Sequence, residues 1–268
     1  MKGNNFESPL IEDSRISSCT LLLLLVFLMP SVGFSGEFRV SPIRMEFDVR
    51  AKSGAITIFN EGSEQLNLQM KATEWIQDSE GNDQYPETND IIFFPKIMTL
   101  GRGESRVVRA GVRTPAVASE KTYRLFIEEI PEPKKVEGAQ VAIAVRLGAP
   151  IFVKPIKEEA KGEVGKIDLS EGNLNIVVRN TGNVHFSINT IKIRGKNGDS
   201  EEVFSRELNG WYLLSSVSRT YTTQVPREIC IGLRQIEIEI KTDRFNLNDK
   251  FDVSKAMCVS SYEPASDF

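Results

Sequence analysis

Apolar residues recur at every second position through much of this chain, a pattern that leaves little besides β-structure for it to adopt. Leu66, Leu68, Met70 and Ala72 alternate with Asn67, Gln69 and Lys71. Tyr123, Leu125 and Ile127 repeat the pattern, as do Val141, Ile143, Val145 and Leu147, and Ile56 and Ile58 run into the turn signal Asn60-Glu61-Gly62. Successive side chains of a strand point to opposite faces, so each run has one apolar face to bury. A second set of runs lies at 167–169, 174–178, 186–193, 202–204 and 236–240, with turns at Glu171-Gly172, 180–183 and Lys196-Asn197-Gly198. No stretch carries a long i, i+3, i+4 apolar spacing. Short strands with turn signals at this density predict an all-β fold of two β-sandwiches.

The stretch 155–165 (PIKEEAKGEVG) is charged, contains glycine and lacks alternation, so it reads as a linker. It divides the chain into sandwiches at 37–155 and 156–268, the second ending in a polar tail. Ahead of both, residues 21–29 (LLLLLVFLM) form an unbroken apolar run. The run is too short for a membrane-spanning helix, which needs about 20 residues, and has the length of a secretory h-region. Pro30 ends it, and Gly33 and Ser35 are small residues at the −3 and −1 positions of a cleavage site. Residues 1–35 are therefore expected to be a signal peptide. Its Lys2 and Arg15 are outweighed by Glu7, Glu12 and Asp13, which points to a translation start downstream of Met1. Cys19 leaves with the signal. Cys230 and Cys258 then remain in an oxidising compartment with one intramolecular pairing open to them, and a disulfide is expected.

Composition excludes more than it selects. A net charge of −4 argues against a general nucleic-acid binder, which needs a clustered basic surface. The single histidine, His185, removes multi-histidine metal sites and leaves any Ser-His or Cys-His mechanism one base. A lone histidine at a strand start is read as packing. Gly101-Arg102-Gly103 has no Lys-Ser/Thr after it, and 243–252 lacks the central glycine of a calcium loop, so neither a phosphate loop nor a metal site is expected. The expectation is a binding protein, not an enzyme, with no cofactor, no metal and no stable membrane insertion after the signal is removed.

Several segments, taken in order, resemble PapD-like periplasmic pilus-assembly chaperones. They are 38–47 (FRVSPIRMEF), 56–60 (ITIFN), 72–77 (ATEWIQ), 91–95 (IIFFP), 101–109 (GRGESRVVR), 123–131 (YRLFIEEIP) and 146–155 (RLGAPIFVKP). In the second half the likeness rests on 179–186 (RNTGNVHF). The resemblance implies two immunoglobulin-like β-sandwiches in a boomerang arrangement. It also implies a periplasmic chaperone that holds pilus or fimbrial subunits by donor-strand complementation and delivers them to an outer-membrane usher. The rival reading is an exported two-domain adhesion or structural protein with no client cycle.

The resemblance also implies roles for particular residues. Val141, Ile143, Val145 and Leu147 form the apolar row of the donor strand, with Ala142 and Ala144 turned toward the interior. Strand addition gives affinity through backbone bonds and specificity through alternate side chains. Arg44 matches the first anchor of the subunit's C-terminal carboxylate, which its planar fork suits. The second anchor, a lysine in the family, falls at Pro150, and Arg146 on the same strand face is the substitute. Arg109, in phase with Val107, and Glu129, in phase with Leu125 and Ile127, are expected to form an internal salt bridge that sets the interdomain angle.

Overall fold

The structure is a computed structural model that describes residues 38–116, 118–131 and 144–259. The signal segment and the donor-row residues Val141 and Ile143 lie outside them.

In chain order the first half carries β1 (Phe38–Ser41), β2 (Met45–Phe47), β3 (Ser53–Asn60), β4 (Leu66–Glu74), β5 (Ile76–Gln77), β6 (Asp83–Gln84), β7 (Ile91–Phe94), β8 (Ile97–Leu100), β9 (Ser105–Val112), β10 (Lys121–Glu129) and β11 (Arg146–Val153). They form two facing sheets, β1-β3-β9-β7 and β2-β11-β10-β4-β8. The first strand region is shared between the sheets. Before Pro42 it pairs antiparallel with β3, and after it pairs parallel with β11. A proline cannot donate to a ladder, so the change of sheet falls where the chain has least to lose. The alternation read from the sequence is the burial pattern: Leu66, Leu68, Met70, Ala72, Tyr123, Leu125, Ile127, Ile56 and Ile58 all enter one core.

The second half carries β12 (Gly162–Ser170), β13 (Asn173–Asn180), β14 (Phe186–Lys196), β15 (Glu202–Asn209), β16 (Tyr212–Leu213), β17 (Ser218–Gln224), α1 (Arg227–Gly232), β18 (Gln235–Thr242) and β19 (Asn246–Asp252). The sheets are β12-β13-β17 and β15-β14-β18-β19, with β16 paired to β14. In β14 the buried residues run Phe186, Ile188, then Ile191 and Ile193. That change of phase needs an extra residue, and the ladder to β18 shifts register between Ile188 and Thr190. In β12 a shift between Val164 and Ile167 likewise lets both pack on the second core.

Cys230 of α1 and Cys258 are disulfide-bonded, with Cα atoms 5.6 Å apart. Both are buried in the second core, where the bond ties the short helix to the end of the last sheet. Closing a loop of 28 residues restricts the unfolded chain. Replacing both cysteines by serine is expected to lower the unfolding free energy by about 3 kcal/mol, read from denaturant titrations under oxidising conditions. Reductant should produce the same loss in the wild type and none in the double variant.

Candidate functional site

The strand β11 belongs to one core on one face and to the junction between the sandwiches on the other. Its inward residues Ala149, Ile151 and Val153 are fully buried, and Val145 and Leu147 pack against the same core. Its other face carries Arg146, Gly148, Pro150 and Phe152. Phe152 forms a small interface cluster with Trp75 and Leu214, joined by Tyr212 and Val217. It also stacks on His185, with ring centroids 3.7 Å apart and planes 13° from parallel.

Hydrogen bonds close the junction around this cluster. Gln77 donates through Nε2 to the Tyr212 carbonyl and accepts from the Leu214 N–H, 2.9 Å each. Trp211 Nε1 donates to Asp83 at 3.0 Å. Glu120 Oε2 accepts from the His185 backbone N–H at 2.9 Å and lies 2.7 Å from His185 Nδ1, with both side chains almost wholly buried. A buried carboxylate persists only when hydrogen-bonded or paired, so Glu120 and His185 hold each other in place. The charged linker is also bound down. Thr181 and Gly182 donate to the Lys161 carbonyl, and Asn183 N–H donates to that of Glu159. A Cβ on Gly182 would lie 2.1 Å from the Glu159 carbonyl oxygen, so only glycine permits this approach.

The internal pair expected from sequence is a different one. Arg109 is exposed on β9, in the sheet opposite Glu129 of β10, and no ion pair joins them. The alternation of β9 buries Val108 and Ala110, which turns Val107 and Arg109 outward. Glu129 is half-buried at the end of β10, and its Oε2 accepts from the Val145 N–H at 3.3 Å. Ala144 is exposed, while Val145 and Leu147 face the core, so the described part of the donor row points inward and its alanine outward. The tighter-packing side of this strand end is the one with larger side chains, as burial of apolar area favours.

The edge of β11 is the open feature. β2 pairs only with Ile151–Val153, and among the described residues no strand lies on that side of Arg146–Pro150. Val145 accepts from Glu129 through its carbonyl, so by alternation Gly148 and Pro150 turn their backbone groups to the open side. Pro150 has no N–H to leave unpaired there, which suits an edge.

Three arginines stand near this edge. The parallel register places Met45 opposite Ile151, and one residue back it brings Arg44 alongside Pro150. Arg44 is half-exposed. Arg146 lies four residues along β11, about 13 Å away at strand rise. Its guanidinium stacks on Phe126 at 3.9 Å and pairs with Glu128 at 2.6 Å. Sequence reasoning missed Arg124, the direct cross-strand partner of Pro150 on β10. It is buried, lies over Trp75 at 3.7 Å and donates through Nη1 to the Gly148 carbonyl at 2.9 Å, while its Nε has no hydrogen-bond partner. Burial pushes the guanidinium pKa below its usual value. Gly148 makes room for this arrangement, since a Cβ there would meet Phe126 at 2.9 Å. The available signal was a lone arginine in the apolar run Tyr123 to Ile127.

Below Arg44 runs a chain of alternating charges. Glu46 lies 3.3 Å from Arg44 Nε and 2.7 Å from Lys154 Nζ, Lys154 lies 3.7 Å from Glu158, and Glu158 lies 3.8 Å from Arg244. The hydrogen bond from Lys154 holds the Glu46 carboxyl below the usual carboxylate range, and Glu46 in turn raises Lys154.

Residues 37–158 match the family described as pili and flagellar-assembly chaperone, PapD N-terminal domain. That match spans the whole of the first sandwich, which belongs to this domain family. Among solved structures it resembles a chain of the CsuC–CsuE chaperone–tip adhesion subunit pre-assembly complex from archaic chaperone-usher Csu pili of Acinetobacter baumannii. That alignment covers 79% of this chain and 98% of the other at 17% identity, with a TM-score of 0.57. The class 5 fimbriae chaperone CfaA aligns over 80% of this chain and 98% of its own at 14% identity, TM-score 0.51. A chain of a chaperone–tip adhesin complex of CFA/I fimbriae biogenesis aligns over 82% and 100% at 15% identity, TM-score 0.51. At these identities the likeness is one of fold. A search of curated protein sequences finds no match.

Two variants separate the observed internal pair from the expected one. Glu120→Ala strips the buried partner from His185 and should destabilise the protein by about 3 kcal/mol, as broken buried pairs do. Arg109→Ala, at an exposed position, should stay within about 0.5 kcal/mol of wild type. Denaturant titration of both checks the contrast. A separate titration checks the charge chain: Lys154→Met should raise the Glu46 pKa toward the ordinary range, as followed by carboxyl-carbon NMR.

Proposed function

We propose that this protein is exported by way of residues 1–35 and captures pilus or fimbrial subunits in the periplasm by donor-strand complementation, then passes them to an outer-membrane usher. The observation that carries the reading is the open edge of β11 at Arg146–Pro150, set beside Arg44 and Arg124. Unpaired strand edges are templates for another strand, and added strands gain affinity from backbone hydrogen bonds.

The subunit's C-terminal carboxylate is anchored by Arg44. Arg124, across the ladder from Pro150, supplies the second positive group in place of Arg146, which lies four residues farther along β11. A guanidinium already desolvated against Trp75 gives more to a carboxylate than a hydrated lysine would. Two solved structures that this chain resembles are named as chaperone complexes with a tip adhesion subunit or tip adhesin, which supports a subunit as the partner. Among the described residues no helix is long and apolar enough to cross a membrane.

Co-expression with an exported subunit encoded beside this protein should give a soluble one-to-one complex and protect the subunit from proteolysis. Arg44→Ala should cut recovery of that complex about tenfold or more, consistent with loss of one partner from a buried hydrogen-bonded charge pair. Unchanged recovery in this variant would rule out carboxylate anchoring at this edge.

A further inference from the structure

Arg44 does not stand free beside the open edge of β11. Glu46, two residues on and on the same face of β2, places Oε1 at 3.3 Å from Arg44 Nε and Oε2 at 2.7 Å from Lys154 Nζ. One carboxylate therefore bridges two cations with one oxygen each. The backbone favours it: β2 runs parallel to β11 with Glu46 opposite Phe152, and the Lys154 N–H donates to the Phe47 carbonyl at 2.8 Å. Lys154 thus emerges next to Glu46. Glu46 is Arg44's ion-pair partner among the described residues, whereas Lys154 also has Glu158.

The pairs are partly exposed, with side-chain exposures of 50% for Arg44, 36% for Glu46 and 27% for Lys154. Exposed pairs of this kind are weak enough to exchange. Replacing one carboxylate by another on the same guanidinium also changes its desolvation little, because the charge stays paired throughout.

We propose that Glu46 is a resident carboxylate that occupies Arg44 in the free protein, and that a subunit's C-terminal carboxylate binds by displacing it. This rests on the anchoring role given to Arg44 above. Glu46 then sets selectivity. A free anion brings one charge to a site already neutralised and does not exchange. A carboxylate at the end of a strand brings backbone bonds along β11 as well, and these favour the exchange. Displaced from Arg44, Glu46 keeps its bond to Lys154.

The test uses the full chain, its Glu46→Gln variant and Glu46→Gln combined with Arg44→Ala. The probes are two synthetic strand peptides of alternating valine and threonine, identical except that one ends in a free carboxylate and the other in an amide. Binding is followed by the Arg44 Nε–Hε NMR signal where Arg44 is present and by peptide fluorescence anisotropy in all three proteins. Glu46→Gln should bind the free-acid peptide about fivefold more tightly than wild type, the scale of an exposed ion pair. The amide peptide should bind both equally, and the added Arg44→Ala should abolish the gain. Equal free-acid affinity in wild type and Glu46→Gln, with both preferring acid to amide, would overturn the resident role and leave the anchor intact. No preference for acid over amide in either protein would overturn the anchor itself, and this inference with it.

Discussion

The stack of Phe152 on His185 is the contact on which the rest of the molecule depends. Phe152 belongs to β11, whose alternate residues Ile151 and Val153 complete the first core. His185 immediately precedes β14 of the second sandwich, and Glu120, just before β10, holds its ring through Nδ1. The same few residues therefore finish one hydrophobic core, start the next sheet and join the two. Aromatic stacking adds to area burial only when the rings are held in register, and here the Glu120 carboxylate and the Trp75–Leu214 cluster hold them.

With β11 clamped at its C-terminal end, its N-terminal half becomes the free part. β2 covers Ile151–Val153 and goes no further, so the strand passes from fully paired to half-paired at Pro150. Arg124 reaches across it to the Gly148 carbonyl, satisfying one edge acceptor that would otherwise face outward. An edge kept in this condition is guarded yet open to addition. The charged chain from Arg44 through Glu46, Lys154 and Glu158 to Arg244 follows the same boundary and ends on the second sandwich, and Gly182 binds the linker close by. The charges in 154–161 thus do more than keep a linker solvated.

Much of the fold was legible because strand burial has a period of two. The core faces of β3, β4 and β10 follow directly from the spacing of Ile, Leu and Met. Cys230 and Cys258 could be paired because one partner was left for each. The site was less legible. Arg109 and Glu129 were each in phase with apolar neighbours, but phase says only that two residues share a face. It does not say which face is inward: on β9 the inward set begins at Val108, so Arg109 points to solvent. Arg124 was hidden for the converse reason. It sits on the polar phase of a strand whose two faces are both buried, one by its own core and one by the second sandwich.

The amino-acid sequence by itself determined an all-β chain of two sandwiches, the strand runs and the cysteine pair, since each depends on local periodicity or on simple elimination. Only the tertiary structure decided which charges meet. Glu120 with His185, Arg124 with Gly148, and Glu46 with both Arg44 and Lys154 join residues brought together by strand pairing and by the junction between sandwiches. A charged side chain acts through the partners within a few ångströms of it, and in a β-protein those partners come mostly from strands distant in sequence.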